Sequence, residues 1–165
     1  MCIKDGENTL QIRKSMKILS SQFAYQVLKK HMIQDVEELW CLAMGPGLNL
    51  ISIQMIFRGT VDSCTVHPRD IFRYACLQNA SQLIIAHNHP SGDETASSQD
   101  IEFTRRVVSI GKEIEIPVID HLILTKTNYL SMAESKLSPF SIDREITSFG
   151  RTHRNLQSQK KRQNL

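Results

Sequence analysis

His87-Asn88-His89-Pro90-Ser91-Gly92-Asp93, followed by Ser97 and Asp100, is the stretch from which the rest of the chain can be read. It begins where the apolar run Leu83-Ile84-Ile85-Ala86 ends. On an extended backbone the side chains of residues i and i+2 point to one side, so the two imidazoles share a face. Pro90, Gly92 and the small polar residues around them force a turn. Asp100 then falls about one helical turn into the next element. Two imidazole nitrogens and a carboxylate oxygen gathered in this way form a ligand set for zinc, with a fourth position left for water. The competing reading is a pair of turn-forming structural histidines. Asp93 is a rival ligand, although Ser-Gly-Asp also fits an Asx turn. Ser97 can cap the helix, donate to a bound water or stabilise a developing oxyanion.

The elements on either side follow from hydrophobic spacing. Phe23, Ala24, Val27 and Leu28 form one stripe of a helix from Ser21 to about Met32, with Ser20 or Ser21 as cap. Leu39 to Met44 reads as a central strand ended by Gly45-Pro46-Gly47, and Leu48 to Phe57 as its hairpin partner. Arg58-Gly59-Thr60 marks a bend before a further strand from Val61 to Val66. Pro68 opens a helix whose apolar face is Ile71, Phe72, Ala75, Cys76 and Leu77, and which stops near Asn79. After the buried strand Leu83–Ala86, a longer helix runs from Ser97 to about Ile110. Phe103, Val107 and Ile110 face its core and Gly111 is its C-cap. Ile114 to Ile119 is a strand that Leu122–Leu124 is expected to continue; a turn at Thr127-Asn128 precedes a short strand, Tyr129–Ser131. Met132 to Leu137 is a short helical piece. Helices and strands are mixed without an internal repeat, which predicts an α/β or α+β fold with helices packed on a curved sheet.

Composition narrows the class. With 165 residues, 41% hydrophobic and 22% charged, the chain is long enough for one real core. No apolar run approaches the ~20 residues of a membrane helix, and the N-terminus lacks the apolar core of a secretory signal, so the expected location is the cytoplasm. Cys2, Cys41, Cys64 and Cys76 are scattered without a CxxC, which argues against a disulfide scaffold and against an all-thiolate zinc site. Cys41 and Cys76 read as small core residues, while Cys64 lies near the histidines in a strand or turn. Arg151, Arg154, Lys160, Lys161 and Arg162 give the last fifteen residues a charge of +5, so the first 150 carry −2 against +3 overall. This tail is expected to be flexible, either as a solubilising end or as a contact for nucleic acid.

His87-x-His89-Pro90, then Ser97, two residues and Asp100, resembles the JAMM metalloprotease motif of the JAB/MPN superfamily. Phe57–Thr60, Val66–Arg69, Asn79-Ala80, Ala86–Asp93 and Ile119–His121 resemble, in order, phrases of its RadC-like branch. The likeness covers roughly residues 20–135. It implies a cytidine-deaminase-like α/β fold, a central mixed sheet flanked by helices. It also implies Zn2+ held by His87, His89 and Asp100, with Ser97 as a polar helper and a peptide or isopeptide as substrate. Longer relatives carry an N-terminal helix-hairpin-helix region associated with DNA binding. Only about twenty residues precede the first predicted helix here, so the short form is expected: an arm at 1–20, the domain at 21–140 and the basic tail at 141–165.

One position departs from the pattern. In the JAMM mechanism a glutamate on the strand before the motif takes a proton from the attacking water and returns it to the leaving group. In this branch it stands three residues before the Phe of the Phe-x-Gly-Thr phrase, and that residue here is Gln54. An amide can hydrogen-bond water but cannot shuttle its proton. Glu37, Glu38 and Glu94 are the substitutes to weigh. His67 reads as a capping or exposed residue, and His121 as a structural residue or one that orients a ligand from behind. Arg69 with Arg73, and Arg105 with Arg106, are surface ion-pair partners or phosphate contacts. Two classes of function remain: a metal-dependent amide hydrolase, and a non-catalytic metal-binding protein that contacts nucleic acid or a protein partner. The oligomeric state is left open.

Overall fold

The computed structural model describes residues 9–11, 16–32, 35–59, 66–135 and 139–140, the first three by their backbone alone. Six strands form one sheet: β1 (Thr9–Gln11), β2 (Glu38–Met44), β3 (Leu50–Arg58), β4 (Gln82–Asn88), β5 (Val118–Leu124) and β6 (Tyr129–Ser131). Their order across the sheet is β1-β3-β2-β4-β5-β6. Only β4 and β5 run parallel, joined by a helical crossover, so the sheet is mixed. Helix α1 (Ser21–Leu28) covers one face, and α2 (Pro68–Leu77) with α3 (Ser98–Glu113) covers the other. This is the mixed α/β architecture expected of a JAB/MPN domain.

Strand β2 is buried at all seven positions because sheet flanks it on both edges and helices cover both faces. Alternation sorts its side chains. Trp40, Leu42 and Met44 join Ile84, Ala86, Leu122 and Leu124 beneath α1. Leu39, Cys41 and Ala43 join Leu83, Ile85 and Val118 beneath α2 and α3. Helix α1 starts where the Ser20 hydroxyl accepts from Phe23 N–H at 3.1 Å. It ends at Leu28, earlier than expected, and continues only as turns to His31. Among the described residues no helix is long and apolar enough to cross a membrane.

Several expectations are corrected. Cys76 and Leu77 are exposed, the latter by 69%, and Tyr74 takes the core position instead. Cys76 lies five residues after Ile71, about 140° around the helix from it. The Tyr74 hydroxyl instead meets Ser52 Oγ at 2.7 Å within the core. Gly111 is inside α3 and is not its cap. A Cβ there would stand 2.7 Å from Ile116 O, so glycine admits the returning chain, while Glu115 adopts the left-handed turn conformation with φ 58°. In consequence β5 begins at Val118 rather than Ile114, and runs without interruption through Asp120-His121. Within the stretch read as an arm, Thr9–Gln11 pairs along the edge of β3 and Ile18 is buried in the core. Val61–Thr65, Cys2, Cys64, Leu137 and the basic tail lie outside the described residues; Met132–Ser135 is a turn.

Candidate metal centre

The C-terminal end of β4 points its side chains to opposite faces. Asn88 turns towards the α1 face, where it is fully buried: its Oδ1 accepts from Glu38 N–H at 2.8 Å and its Nδ2 donates to Val36 O at 2.8 Å. His87 turns to the α2/α3 face, and His89, just past the strand, follows it. His89 N–H still donates to Leu124 O at 2.9 Å, so the sheet ladder carries the backbone up to the second histidine. The turn then closes with Gly92 at φ 85° and Gly92 N–H donating to His89 O.

The two Nε2 atoms stand 2.9 Å apart. Asp100 Oδ1 lies 3.1 Å from His87 Nε2, and Asp100 Oδ2 lies 3.6 Å from His89 Nε2. The three side chains are 13%, 15% and 18% exposed, and they form the metal-capable group of acidic and histidine residues found among the described residues. Neighbouring ligands of a four-coordinate ion with bonds of about 2.0–2.2 Å stand about 3.3–3.6 Å apart, close to the observed separations. The chemistry agrees. His89 Nδ1 lies 2.6 Å from Asp93 O, an atom that can only accept, so this nitrogen carries the proton and Nε2 keeps its lone pair. That lone pair faces a carboxylate and a second imidazole, an arrangement of acceptors that a cation completes.

Asp100 reaches this point because a capping box starts α3. Ser97 Oγ accepts from Asp100 N–H at 3.1 Å, while Asp100 Oδ2 accepts from Ser97 N–H at 2.8 Å and from the Ser97 hydroxyl at 2.6 Å. Burial opposes ionisation of Asp100, but its polar neighbours, the two Ser97 donors among them, outweigh it and hold the carboxyl well below the ordinary range. Asp93 is committed to its Asx turn: Thr95 N–H donates to Asp93 Oδ1 at 2.8 Å and lowers the carboxyl's pKa.

Gln54 is half-buried on β3. It pairs with Cys41, which pairs with Ile85, so it shares the sheet face of His87 but stands two strands across and two residues back. At ordinary strand spacing its Cα is ~12 Å from that of His87. Glu38 is on the other face with Trp40, buried, and its carboxylate accepts from Trp40 Nε1 at 2.9 Å and from Arg58 Nε at 2.8 Å. It is thereby removed from the list of replacement bases. Glu94 is half-buried at the rim of a surface groove of about 300 Å³ formed with Thr95, Ala96, Leu130 and Ser135. His67 is exposed at the N-cap of α2 and makes no capping bond. Arg69 lies 3.8 Å from Asp70, and Arg105 pairs with Glu102 one turn away, as surface ion pairs do.

Sequence spacing did not single out Thr104. It is fully buried, with Oγ1 2.5 Å from His121 Nδ1, and the opposite nitrogen of His121 is 2.8 Å from His87 Nδ1. The available signal was a hydroxyl at i+4 from Asp100 within the apolar stripe of α3.

A mixed sheet flanked by helices, with a His-His-Asp triad at the end of its parallel strand pair, is the metal site typical of JAMM/MPN metalloproteases. Residues 18–137 match the model of the RadC-like JAB domain, and the chain belongs to that family. A UPF0758 protein of Enterococcus faecalis is 36% identical over 124 residues, covering 75% of this chain and 53% of that protein. Similar proteins of the same designation occur in Thermosynechococcus vestitus, 43% identical over 103 residues (62% and 41% of the two chains), and Syntrophomonas wolfei, 46% over 98 residues (59% and 42%). The chain spans about half the length of the curated relatives it matches.

Proposed function

We propose that this chain is a zinc-binding domain of the metallopeptidase or isopeptidase class whose hydrolytic step is impaired at Gln54. The convergence of His87 Nε2, His89 Nε2 and Asp100 within a few ångströms carries the reading. Zinc held there supplies a Lewis acid and lowers the pKa of water towards neutrality. His87, His89 and Asp100 hold the ion, and Ser97 is the candidate for polarising the substrate carbonyl. That role requires its hydroxyl to turn away from Asp100 Oδ2, to which it now donates. Gln54 hydrogen-bonds without moving a proton, and loss of a general acid–base costs ~10²–10⁴-fold in rate.

The same residue favours a second reading, a catalytically inactive metal-binding protein. In it Arg151, Arg154, Lys160, Lys161 and Arg162 contact nucleic acid or an acidic partner. Cytoplasmic location belongs to both readings. Zinc stoichiometry and peptide hydrolysis, measured on wild type, His87→Ala and Gln54→Glu, separate them. The expected result is bound zinc in wild type, none in His87→Ala, and hydrolysis raised by ~10²–10⁴-fold in Gln54→Glu. No zinc in wild type under non-chelating conditions would overturn the metal reading. Equal, robust hydrolysis by wild type and Gln54→Glu would show that Gln54 is not the limiting position.

A further inference from the structure

Two buried side chains behind His87 take no part in the ligand set, and the direction of their hydrogen bonds follows from what each atom can do. The backbone carbonyl of Asp100 only accepts, so the single hydroxyl proton of Thr104 goes to it at 2.5 Å; Met132 Sδ, at 3.5 Å, is a much weaker competitor. Thr104 Oγ1 then offers only a lone pair to His121 Nδ1, 2.5 Å away, so that nitrogen carries a proton. His121 is 1% exposed and its two nitrogens meet only a hydroxyl and a second imidazole, so the ring is buried as the neutral form, with one proton to place. With the proton on Nδ1, its Nε2 is an acceptor, and the atom opposite is His87 Nδ1 at 2.8 Å.

We propose that Thr104 and His121 are positioning residues, a directed relay from the main chain of Asp100 that fixes the proton of His87 on Nδ1 and aims its Nε2 lone pair into the metal position. The inference rests on the metal-site reading. It assigns the second nitrogen of a ligand histidine to a neutral imidazole, where a carboxylate, carbonyl or water is the usual partner. A neutral acceptor raises the basicity of His87 less than a carboxylate would, leaving a bound ion more electrophilic. The relay also ties together ligands on two elements: His87 on β4 and Asp100 on α3 are linked through β5, so neither shifts without straining the other.

The decisive measurement is the histidine tautomer pattern of metal-free wild type, read from long-range 1H–15N correlation spectra at neutral pH. Both His87 and His121 are expected as Nδ1–H tautomers. Calorimetric titration with Zn2+ is expected to show His121→Ala binding ~10–100-fold more weakly than wild type. Thr104→Val should bind about 5-fold more weakly, one neutral hydrogen bond's worth, with the His121 Nδ1–H resonance displaced. Thr104→Ser, which keeps the hydroxyl, should match wild type in both. An Nε2–H tautomer at His121 in wild type would overturn the relay, as would Thr104→Val with unchanged affinity and tautomers. Wild type that shows the expected tautomers and binds no zinc would sink the metal reading alone. Should a variant fail to fold, the wild-type spectrum still decides.

Discussion

Two clusters of polar groups, one on each face of the sheet, are built in opposite ways. On the α1 face, Glu38, Asn88 and Asp120 are each closed by donors or acceptors of the same chain. Asp120 is the fullest case: its Oδ1 accepts from His121 N–H at 2.8 Å and Ala133 N–H at 3.1 Å, its Oδ2 from the Ser21 and Ser131 hydroxyls at 2.9 and 2.7 Å. On the α2/α3 face, His87 Nε2, His89 Nε2 and the Asp100 carboxylate converge on one another. A closed network holds a fold together, whereas ligand-type atoms that converge on one point suit a cation. Asn88 and His87, adjacent in β4, stand on either side of this division.

The largest expected effect breaks the closed face. Asp120→Ala leaves four donors without their carboxylate and loosens α1, β5 and the turn after β6 together. Stability should fall by about 3–4 kcal/mol, measured by urea denaturation with the slope unchanged. A loss within 0.5 kcal/mol, roughly the scatter of surface substitutions, would mean that the network contributes little to holding α1 on the sheet.

The open face is expected to respond to ligand instead. Zinc at about 100 times its Kd should stabilise wild type by about 2.7 kcal/mol, seen as a rise in Tm that chelator reverses. Asp100→Asn should abolish that shift while keeping the capping box partly intact, since the amide oxygen can still accept from Ser97 N–H. An equal zinc shift in Asp100→Asn would place the ion elsewhere.

These differences explain what the sequence made legible. The metal triad could be read in advance because two local rules suffice for it: alternation along a strand for His87 and His89, and the Ser-x-x-Asp spacing of a helix start for Ser97 and Asp100. Gln54 could be put on a strand because Leu48 to Phe57 reads as one extended run. Thr104 needed tertiary structure, since nothing local says that α3 passes over His121 at that level. Three residues of β1 carry too little pattern to separate a strand from an arm. Gly111 misled for a physical reason: glycine near a helix end usually marks backbone freedom, and here it marks lack of room. Gly111→Ala tests that distinction. A helix-interior alanine should gain up to about 1 kcal/mol in propensity, but the clash with Ile116 O should give a net loss of about 1–2 kcal/mol. A gain in Tm would restore the reading of Gly111 as a mere helix terminator.

The smallest effect concerns the competition within the closed face and is visible only as a difference between two pH profiles. Burial raises the pKa of Asp120 above its ordinary 3.8, against the pull of Ser131, Ala133, Ser21 and His121. A carboxyl that binds its proton more tightly in the folded chain contributes stability that is complete below the unfolded value and is lost as pH rises through the folded one. Asp120→Asn has no such titration. Its Oδ1 can keep both backbone donors, and its Nδ2 faces two hydroxyls that can rotate to accept. The stability of wild type relative to Asp120→Asn should therefore fall as pH is raised from about 3.8 and level off once the folded carboxyl has ionised. Denaturation of both proteins between pH 3.5 and 7, roughly the span over which a raised carboxyl titrates, reads this directly, because every other ionisable group cancels in the difference. A difference that instead grows with pH would show the four donors winning over burial, making the ionised carboxylate a net stabiliser of the α1 face.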